Sequence, residues 1–338
     1  MRTVPLMRLF DWKINDVNMK AIVIDGCCKA EKMNVSELPT PQVRPSWVLV
    51  RVFAAGLNHS EALLRMFEAD NDYIATPIVP GIECVGEIAD ASDSHFAVGD
   101  RVIALMGGMG RSFNGSYAEY ALLPAKNVFK VSTDLDWISL AAVPETYFTA
   151  YGSLTEGLQL ADGDRLLVRG ATSTVGKAAI QLGKALGATV IAACRRESSF
   201  DELKATGADI CLIDDEHISQ QNLTLKPNKV LELVGPRTLH DSLLTVTHPG
   251  YVCSTGILGN VFSVSNFDPI KFIPNGVFLT GFFSNFPSQG IIDRMFDVIQ
   301  SAKIQPLYSK VFTMEQISEA HTLLEKGGAG GKIVLKIR

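Results

Sequence analysis

The chain has 338 residues, 47% of them hydrophobic and 20% charged, with a formal net charge of -5. That is more chain than one hydrophobic core usually serves, so two packed domains are expected. A pI near 5.7 and the lack of any Lys/Arg-rich run exclude the basic face that a nucleic-acid partner requires.

Residues 1–18 hold Arg2 and Arg8 but also Asp11 and Asp16, and they lack the continuous apolar core of a signal peptide. They read as an N-terminal extension and not as a secretory or transit sequence. Elsewhere each apolar stretch is broken by Gly or a charge before it reaches the roughly 20 residues of a membrane span, so a soluble protein without a membrane partner is expected. The six cysteines, Cys27, Cys28, Cys84, Cys194, Cys211 and Cys253, include no C-x-x-C pair, and the adjacent Cys27 and Cys28 have poor geometry for a disulfide. Reduced thiols and a cytoplasmic location are the expectation.

From Met19 to about Ala142 short β-rich runs alternate with Gly and Pro: Lys20–Asp25, Trp47–Ala54, Gly86–Ala89, Arg101–Leu105 and Ser116–Leu123. This half predicts an irregular, largely antiparallel barrel. Within it Gly107–Gly115 (GGMGRSFNG) is either a loop beside a ligand or an ordinary surface loop. From about Val143 the pattern changes to apolar strands alternating with helices, the signature of βαβ units and a parallel sheet. Strands are predicted at Arg165–Arg169, Thr189–Cys194, Ile210–Ile213, Lys229–Val234, Tyr251–Ser254 and Gly276–Phe283. Helices are predicted at Val175–Leu186, Phe200–Thr206, Thr238–Leu244 and Ile291–Ala302. The tail run Ile333–Ile337 is again β and matches the first half in character, which allows it to return there. The fold class is therefore α/β: a doubly wound parallel sheet plus a β-rich barrel-like domain. The barrel-like domain is assigned residues 19–142 and 288–338, and the parallel-sheet domain residues 143–287.

The run LLVRGATSTVGKAAIQ places a small-residue turn between a buried strand and a helix. A helix N-terminus offers unpaired N–H groups and a partial positive charge to a diphosphate, and small side chains let the phosphates approach. The glycine triplet usual in such turns is spaced i, i+2, i+5, and here Ala171, Ser173 and Gly176 stand at those positions. Thr172, Ser173, Thr174 and Val175 complete the candidate cofactor turn. At the end of the second strand an acidic residue would select NAD; this chain has Arg195 and Arg196 there, whose planar donors suit the 2′-phosphate of NADPH.

Several segments together carry a family resemblance: AAGLNHSE (Ala54–Glu61), PGIECVGE (Pro80–Glu87), VGDRV (Val98–Val102), GSYAEY (Gly115–Tyr120), FTAYGSL (Phe148–Leu154), GATSTVG and AGGKIVL (Ala329–Leu335). In their order and spacing the chain resembles the medium-chain dehydrogenase/reductase superfamily, in its zinc-free quinone oxidoreductase branch, over nearly all residues after Met19. The resemblance implies a GroES-like catalytic domain built from both chain ends, a Rossmann domain between them and an active site in the intervening cleft. Zinc-dependent relatives place Cys, His and Cys where this chain has Asn58, Ile82 and a position near Glu145, and the four-cysteine structural-zinc lobe is absent. Asn, Ile and Glu do not reproduce that donor set, so no metal is expected. His59, Glu83 and Glu145 form an alternative donor set, and Glu83 reads equally as a buried acid bracing the cleft.

Without a Lewis acid, a substrate that accepts hydride readily is favoured, namely a quinone or an α,β-unsaturated carbonyl. In that reading Asn58 hydrogen-bonds the substrate oxygen. Tyr73 is the first candidate proton donor, with Tyr147, Tyr151 and solvent as rivals. The resemblance places Thr149 near the nicotinamide, with Gly331 and Lys332 reaching the cofactor from the tail; Thr255 and Gly256 follow a sheet strand, where such folds bind ligands. Two other readings stay open: a zinc-free carbonyl or alcohol oxidoreductase, and a non-catalytic NADPH-binding sensor or structural protein. The apolar run Gly276–Phe283 and the resemblance together predict a homodimer.

Overall fold

The computed structural model describes residues 18–338, so the extension read over residues 1–18 lies outside the described residues except for Asn18. The first half runs β1 (Asn18–Ile22), β2 (Val35–Pro39), β3 (Trp47–Leu57), α1 (His59–Leu63), β4 (Glu83–Asp90), β5 (Arg101–Leu105), β6 (Tyr120–Pro124) and β7 (Val128–Lys130). Then come α2 (Trp137–Ala141), α3 (Pro144–Gly152), β8 (Arg165–Arg169), α4 (Thr174–Ala185), β9 (Thr189–Cys194), α5 (Phe200–Thr206), β10 (Ile210–Ile213) and β11 (Lys229–Glu232). The chain ends with α6 (Leu239–Thr245), β12 (Gly250–Ser254), α7 (Pro269–Phe272), β13 (Val277–Gly281), α8 (Gln289–Ser301), β14 (Tyr308–Thr313), α9 (Ile317–Lys326) and β15 (Lys332–Lys336).

These strands form two main sheets of different kinds. The first follows the order β14-β15-β3-β4-β5-β7, with β6 also on β3. Its spine is β3, where Val48, Val50 and Val52 are buried while Arg51 points to solvent, the alternation of a sheet with one covered face. The chain end joins it: β15 lies antiparallel to β3, with Ile333 opposite Leu57 and Val334 opposite Gly56. That register brings Lys332, the first residue of β15, to the end of β3 from which Asn58 emerges.

The second sheet has the order β10-β9-β8-β11-β12-β13, and every neighbouring pair is parallel. Its strands carry near-continuous apolar runs such as Leu166-Leu167-Val168, as a sheet covered on both faces requires. Chain order reverses between β8 and β11, which opens a crevice at the carboxyl ends of those strands, where doubly wound sheets bind ligands. The chain is thus an α/β protein with a doubly wound parallel sheet beside a mainly antiparallel GroES-like one. Arg169 locks the crevice floor: fully buried at the end of β8, it ion-pairs Asp214 and Asp241, each at 2.7 Å.

One core joins the two sheets through α2 and α3, where Leu140, Val143, Tyr147 and Phe148 pack with Val85 and Ile103 on one side and Leu166 and Val168 on the other. Several helices and strands differ from the reading by periodicity. The predicted strand Ser116–Leu123 is shorter, Tyr120–Pro124, because Ser116 turns inward to donate to the Glu83 carbonyl and Ala118 makes only a bridge to Ala21. Helices α1, α2, α3, α7 and α9 and strands β2, β7 and β14 have no counterpart among the elements expected from sequence.

Candidate active site

The small-residue turn expected from sequence to hold a cofactor follows β8. Gly170 adopts φ +82, and Ser173 caps α4, its Oγ accepting from the Gly176 N–H at 3.0 Å and donating to the Gly170 carbonyl at 2.8 Å. A side chain at Gly176 would put Cβ 2.6 Å from the Gly170 oxygen and 2.8 Å from the Ala171 Cα, so only glycine lets the helix close so tightly on the strand end. Ala171 is fully buried, whereas Thr172 is exposed and Thr174 and Val175 are partly so. Arg195 and Arg196 stand exposed just past β9, and among the described residues neither makes an ion pair. Thr255, just past β12, shares a hydrogen bond of 2.8 Å with Ser153, the C-terminal cap of α3. Gly256 beside it has no room for a Cβ against the Leu233 backbone.

Across the cleft a buried polar network joins both chain ends. The Lys332 ammonium lies 2.5 Å from Glu83 Oε1 and donates to Asn58 Oδ1 at 2.6 Å. Lys332 is 2% exposed and Glu83 0%. Asn58 Nδ2 donates back to Glu83 Oε1 at 2.8 Å, and the other Glu83 oxygen accepts from the Glu145 backbone N–H at 2.8 Å. Because an ammonium only donates, Lys332 fixes which end of the Asn58 amide carries the oxygen, and one of the two Nδ2 hydrogens stays free of Glu83. Gly56 makes the space: a Cβ there would collide with the Lys332 side chain and lie 2.5 Å from Glu83 Oε1. Lys332 is therefore brought to Asn58. The tail reaches the dinucleotide helix by another route, the Lys177 ammonium donating to the Gly330 carbonyl at 2.6 Å.

Two more carboxyls complete the site. Glu61 accepts from the backbone N–H groups of Asn58 (2.8 Å) and Ile82 (3.1 Å), tying the start of α1 to the strand β4 approach. Burial raises its pKa against the pull of those amides. Glu145 Oε1 accepts from Ser284 Oγ at 2.7 Å and Thr149 Oγ1 at 3.0 Å, while Oε2 is buried without a partner among the described residues. Burial pushes the Glu145 carboxyl up to about 8; Ser284, Lys332 and Thr149 oppose that rise and the Glu83 charge adds to it.

The residues do not fit a catalytic zinc. Lys332 places a fixed positive charge between Asn58 and Glu83, where it repels a second cation. His59 is exposed on α1, and among the described residues no group of three or more His, Cys, Asp or Glu side chains converges as a metal site. The set His59, Glu83 and Glu145 is not assembled.

The tyrosines separate clearly. Tyr73 is 66% exposed on the loop before β4, its hydroxyl accepting from Asn71 Nδ2 at 3.3 Å. Tyr147 donates to Gln181 Oε1 at 2.5 Å, and Tyr151 sits beside Arg294. Both project from α3 about 200° away from the stripe Glu145, Thr149, Ser153, given 3.6 residues per turn. That stripe, at i, i+4, i+8 along α3 and its C-terminal cap, faces Ser284 and Thr255 past the ends of β13 and β12. The sequence reading placed only Thr149 of the three at the cofactor; the polar spacing was the available signal.

Two family models match the chain: Alcohol dehydrogenase GroES-like domain over residues 44–133 and Zinc-binding dehydrogenase over residues 206–335. Synaptic vesicle membrane protein VAT-1 homolog-like from Mus musculus is 27% identical, covering 94% of this chain and 81% of the relative. Quinone oxidoreductase from Homo sapiens is 26% identical, covering 89% of this chain and 92% of the relative. The solved quinone oxidoreductase of Pseudomonas syringae pv. Tomato DC3000 superposes with a TM-score of 0.81 at 25% identity, over 94% of this chain and 100% of that one. Among the described residues no helix is long and apolar enough to cross a membrane.

Proposed function

From a chain that belongs to the medium-chain dehydrogenase/reductase superfamily, in its quinone oxidoreductase branch, and so is an oxidoreductase using a nicotinamide cofactor, we propose NADPH-dependent, metal-independent reduction of quinones or α,β-unsaturated carbonyls. One observation carries the reading: the buried Lys332 ammonium, held by Glu83 and Asn58, provides a fixed charge on the protein itself. It polarises the Asn58 amide, whose free Nδ2 hydrogen is the donor for a substrate oxygen. Such a donor suffices where the acceptor spreads the arriving charge over a conjugated oxygen and carbon system, as quinones and enones do, whereas a simple aldehyde concentrates it on a single alkoxide oxygen.

The cofactor, when bound, supplies the hydride. The chain's part is to hold and align it. Ser173 Oγ occupies the Gly176 amide, which leaves the first-turn amides of Thr174 and Val175 for the diphosphate. Thr172 flanks them, and Ala171 and Gly176 keep the approach open. The exposed, unpaired Arg195 and Arg196 suit a 2′-phosphate. Thr149, Thr255 and Gly256 line the nicotinamide end, positioned by Glu145 and Ser153.

The test compares NADPH and NADH oxidation with a quinone, a conjugated enone and a simple aldehyde. Conjugated acceptors with NADPH are expected to win. Replacing both Arg195 and Arg196 by Ala should cut the preference for NADPH by on the order of ten-fold or more, the equivalent of one charge-assisted hydrogen bond. Fastest turnover with the aldehyde, or equal use of NADH, contradicts the proposal. Tight NADPH binding without turnover of any acceptor would support the non-catalytic reading instead.

The same reading includes a homodimer in the cytoplasm. Strand β13 is an edge of the parallel sheet, and Phe278 on it and Phe283 just past its end are 50% and 68% exposed, which suits pairing across a two-fold axis. Light scattering at micromolar concentration should give twice the chain mass; a monomer mass rejects it.

A further inference from the structure

We propose that Glu145 is the acid that protonates the reduced substrate, delivering the proton from Oε2. The inference rests on the proposed hydride transfer and supplies the proton which that reaction also needs.

The three carboxyls of the site have partners of different chemistry, and the difference assigns their roles. Glu61 is held by two backbone N–H groups, which cannot rotate away or take a proton. Glu83 is ion-paired to Lys332 and further held by the Asn58 amide and the Glu145 N–H. Glu145 alone is held by hydroxyls, Thr149 and Ser284, both on one oxygen. Its other oxygen is buried and has no partner among the described residues. An ionised carboxylate there would leave a full acceptor unsatisfied, whereas the neutral acid places an O–H at Oε2 with no acceptor among the described residues to receive it. The acceptor such an O–H fits is a bound substrate.

Position agrees with that role. The two oxygens of Glu83 hold Asn58 on one side and the Glu145 backbone on the other, so the substrate-oxygen donor and the proton source hang from one carboxylate. Glu145 also shares Thr149 with the nicotinamide end of the cleft. Tyr73, the donor expected from sequence, is exposed and bonded to Asn71. The charged groups facing Glu145 are Glu83 from β4 and Lys332 from β15, whose charges oppose one another, with Glu61 of α1 beyond them.

The step balances. Hydride brings two electrons and one hydrogen to the substrate, leaving negative charge on its oxygen or α-carbon. The Oε2–H bond of Glu145 breaks, a new O–H or C–H bond forms on the product, and the negative charge passes to the Glu145 carboxylate. Water entering as product leaves returns a proton to that carboxylate. Because the protonated form is the active one, kcat is expected to fall as pH rises through about 8.

Glu145→Gln tests this, since the amide keeps the shape and still accepts from Thr149 and Ser284 but has no proton to transfer. The expected result is a loss of about 10²–10⁴-fold in kcat with an enone, unchanged NADPH affinity, and disappearance of the alkaline limb. An independent readout is the infrared carbonyl band of a protonated carboxyl, present in the wild type at neutral pH, lost above about pH 8 and missing in Glu145→Gln. A variant with wild-type kcat and pH profile, or a wild type without that band at neutral pH, overturns the donor role alone. A wild type that consumes NADPH with neither quinone nor enone overturns the functional reading, and the donor role with it.

Discussion

Replacing Lys332 by Met is expected to destabilise the fold by about 3–5 kcal/mol, the loss that follows when one partner of a buried ion pair is removed and the other stays buried. Glu83 is 0% exposed and would lose its cation, and Asn58 Oδ1 would lose its donor in the same step. The Lys332 stem also fills the space that Gly56 leaves open, so methionine keeps most of the packing and isolates the charge. Urea denaturation measures the loss directly. Adding Glu83→Gln to Lys332→Met removes the stranded charge and should return at least half of it, because neutral groups of similar size replace buried pairs at little net cost. A single variant within about 1 kcal/mol of wild type, the usual worth of an exposed pair, would mean that the pair is open to solvent.

The second large effect is on turnover. Asn58→Ala should lower kcat by about 10²–10³-fold, the typical loss on removing one preorganised donor to a developing oxyanion. NADPH affinity should stay nearly intact, because the proposed cofactor turn and Arg195 and Arg196 follow β8 and β9 of the other sheet. The variant also deprives Lys332 of an acceptor, so the stability of Asn58→Ala must be measured beside its rate. A fall in kcat with little change in NADPH binding and melting supports the donor role. Unchanged turnover removes Asn58 from the mechanism.

Much of the parallel sheet was legible before any coordinates. Strands β8, β9 and β10 and helix α5 have the bounds that apolar runs and flanking polar residues predict, and the interior strands β8 and β9 are plainest, because a strand buried on both faces shows itself as an uninterrupted apolar run. Helix α3 was illegible for the same physical reason: nearly every residue from Pro144 to Gly152 is buried, so the 3.6-residue contrast between faces disappears. What remained was the polar stripe Glu145, Thr149, Ser153, and it marks the site and not a solvent face.

The site was legible residue by residue but not in its connections. Asn58 and Lys332 each stood out, yet they are 274 positions apart, and only the β15–β3 register brings them together. Local pattern carries no information about such a pairing of chain ends. Lys332 was accordingly assigned to the cofactor, whereas its ammonium sits in the Glu83 and Asn58 network. From sequence Glu145 stands out as a position near which zinc-dependent relatives have a cysteine and as one of an alternative donor set with His59 and Glu83, not as an acid. Its environment depends on Ser284, which lies 139 positions away.

In the proposed mechanism Lys332 and Asn58 make a metal unnecessary for hydride transfer to a conjugated acceptor. The most direct measurement is NADPH oxidation with a quinone by protein treated with a strong chelator and shown by elemental analysis to be free of zinc. The account predicts full turnover, unchanged when zinc is added back. Activity that vanishes with the metal and returns with zinc would contradict it.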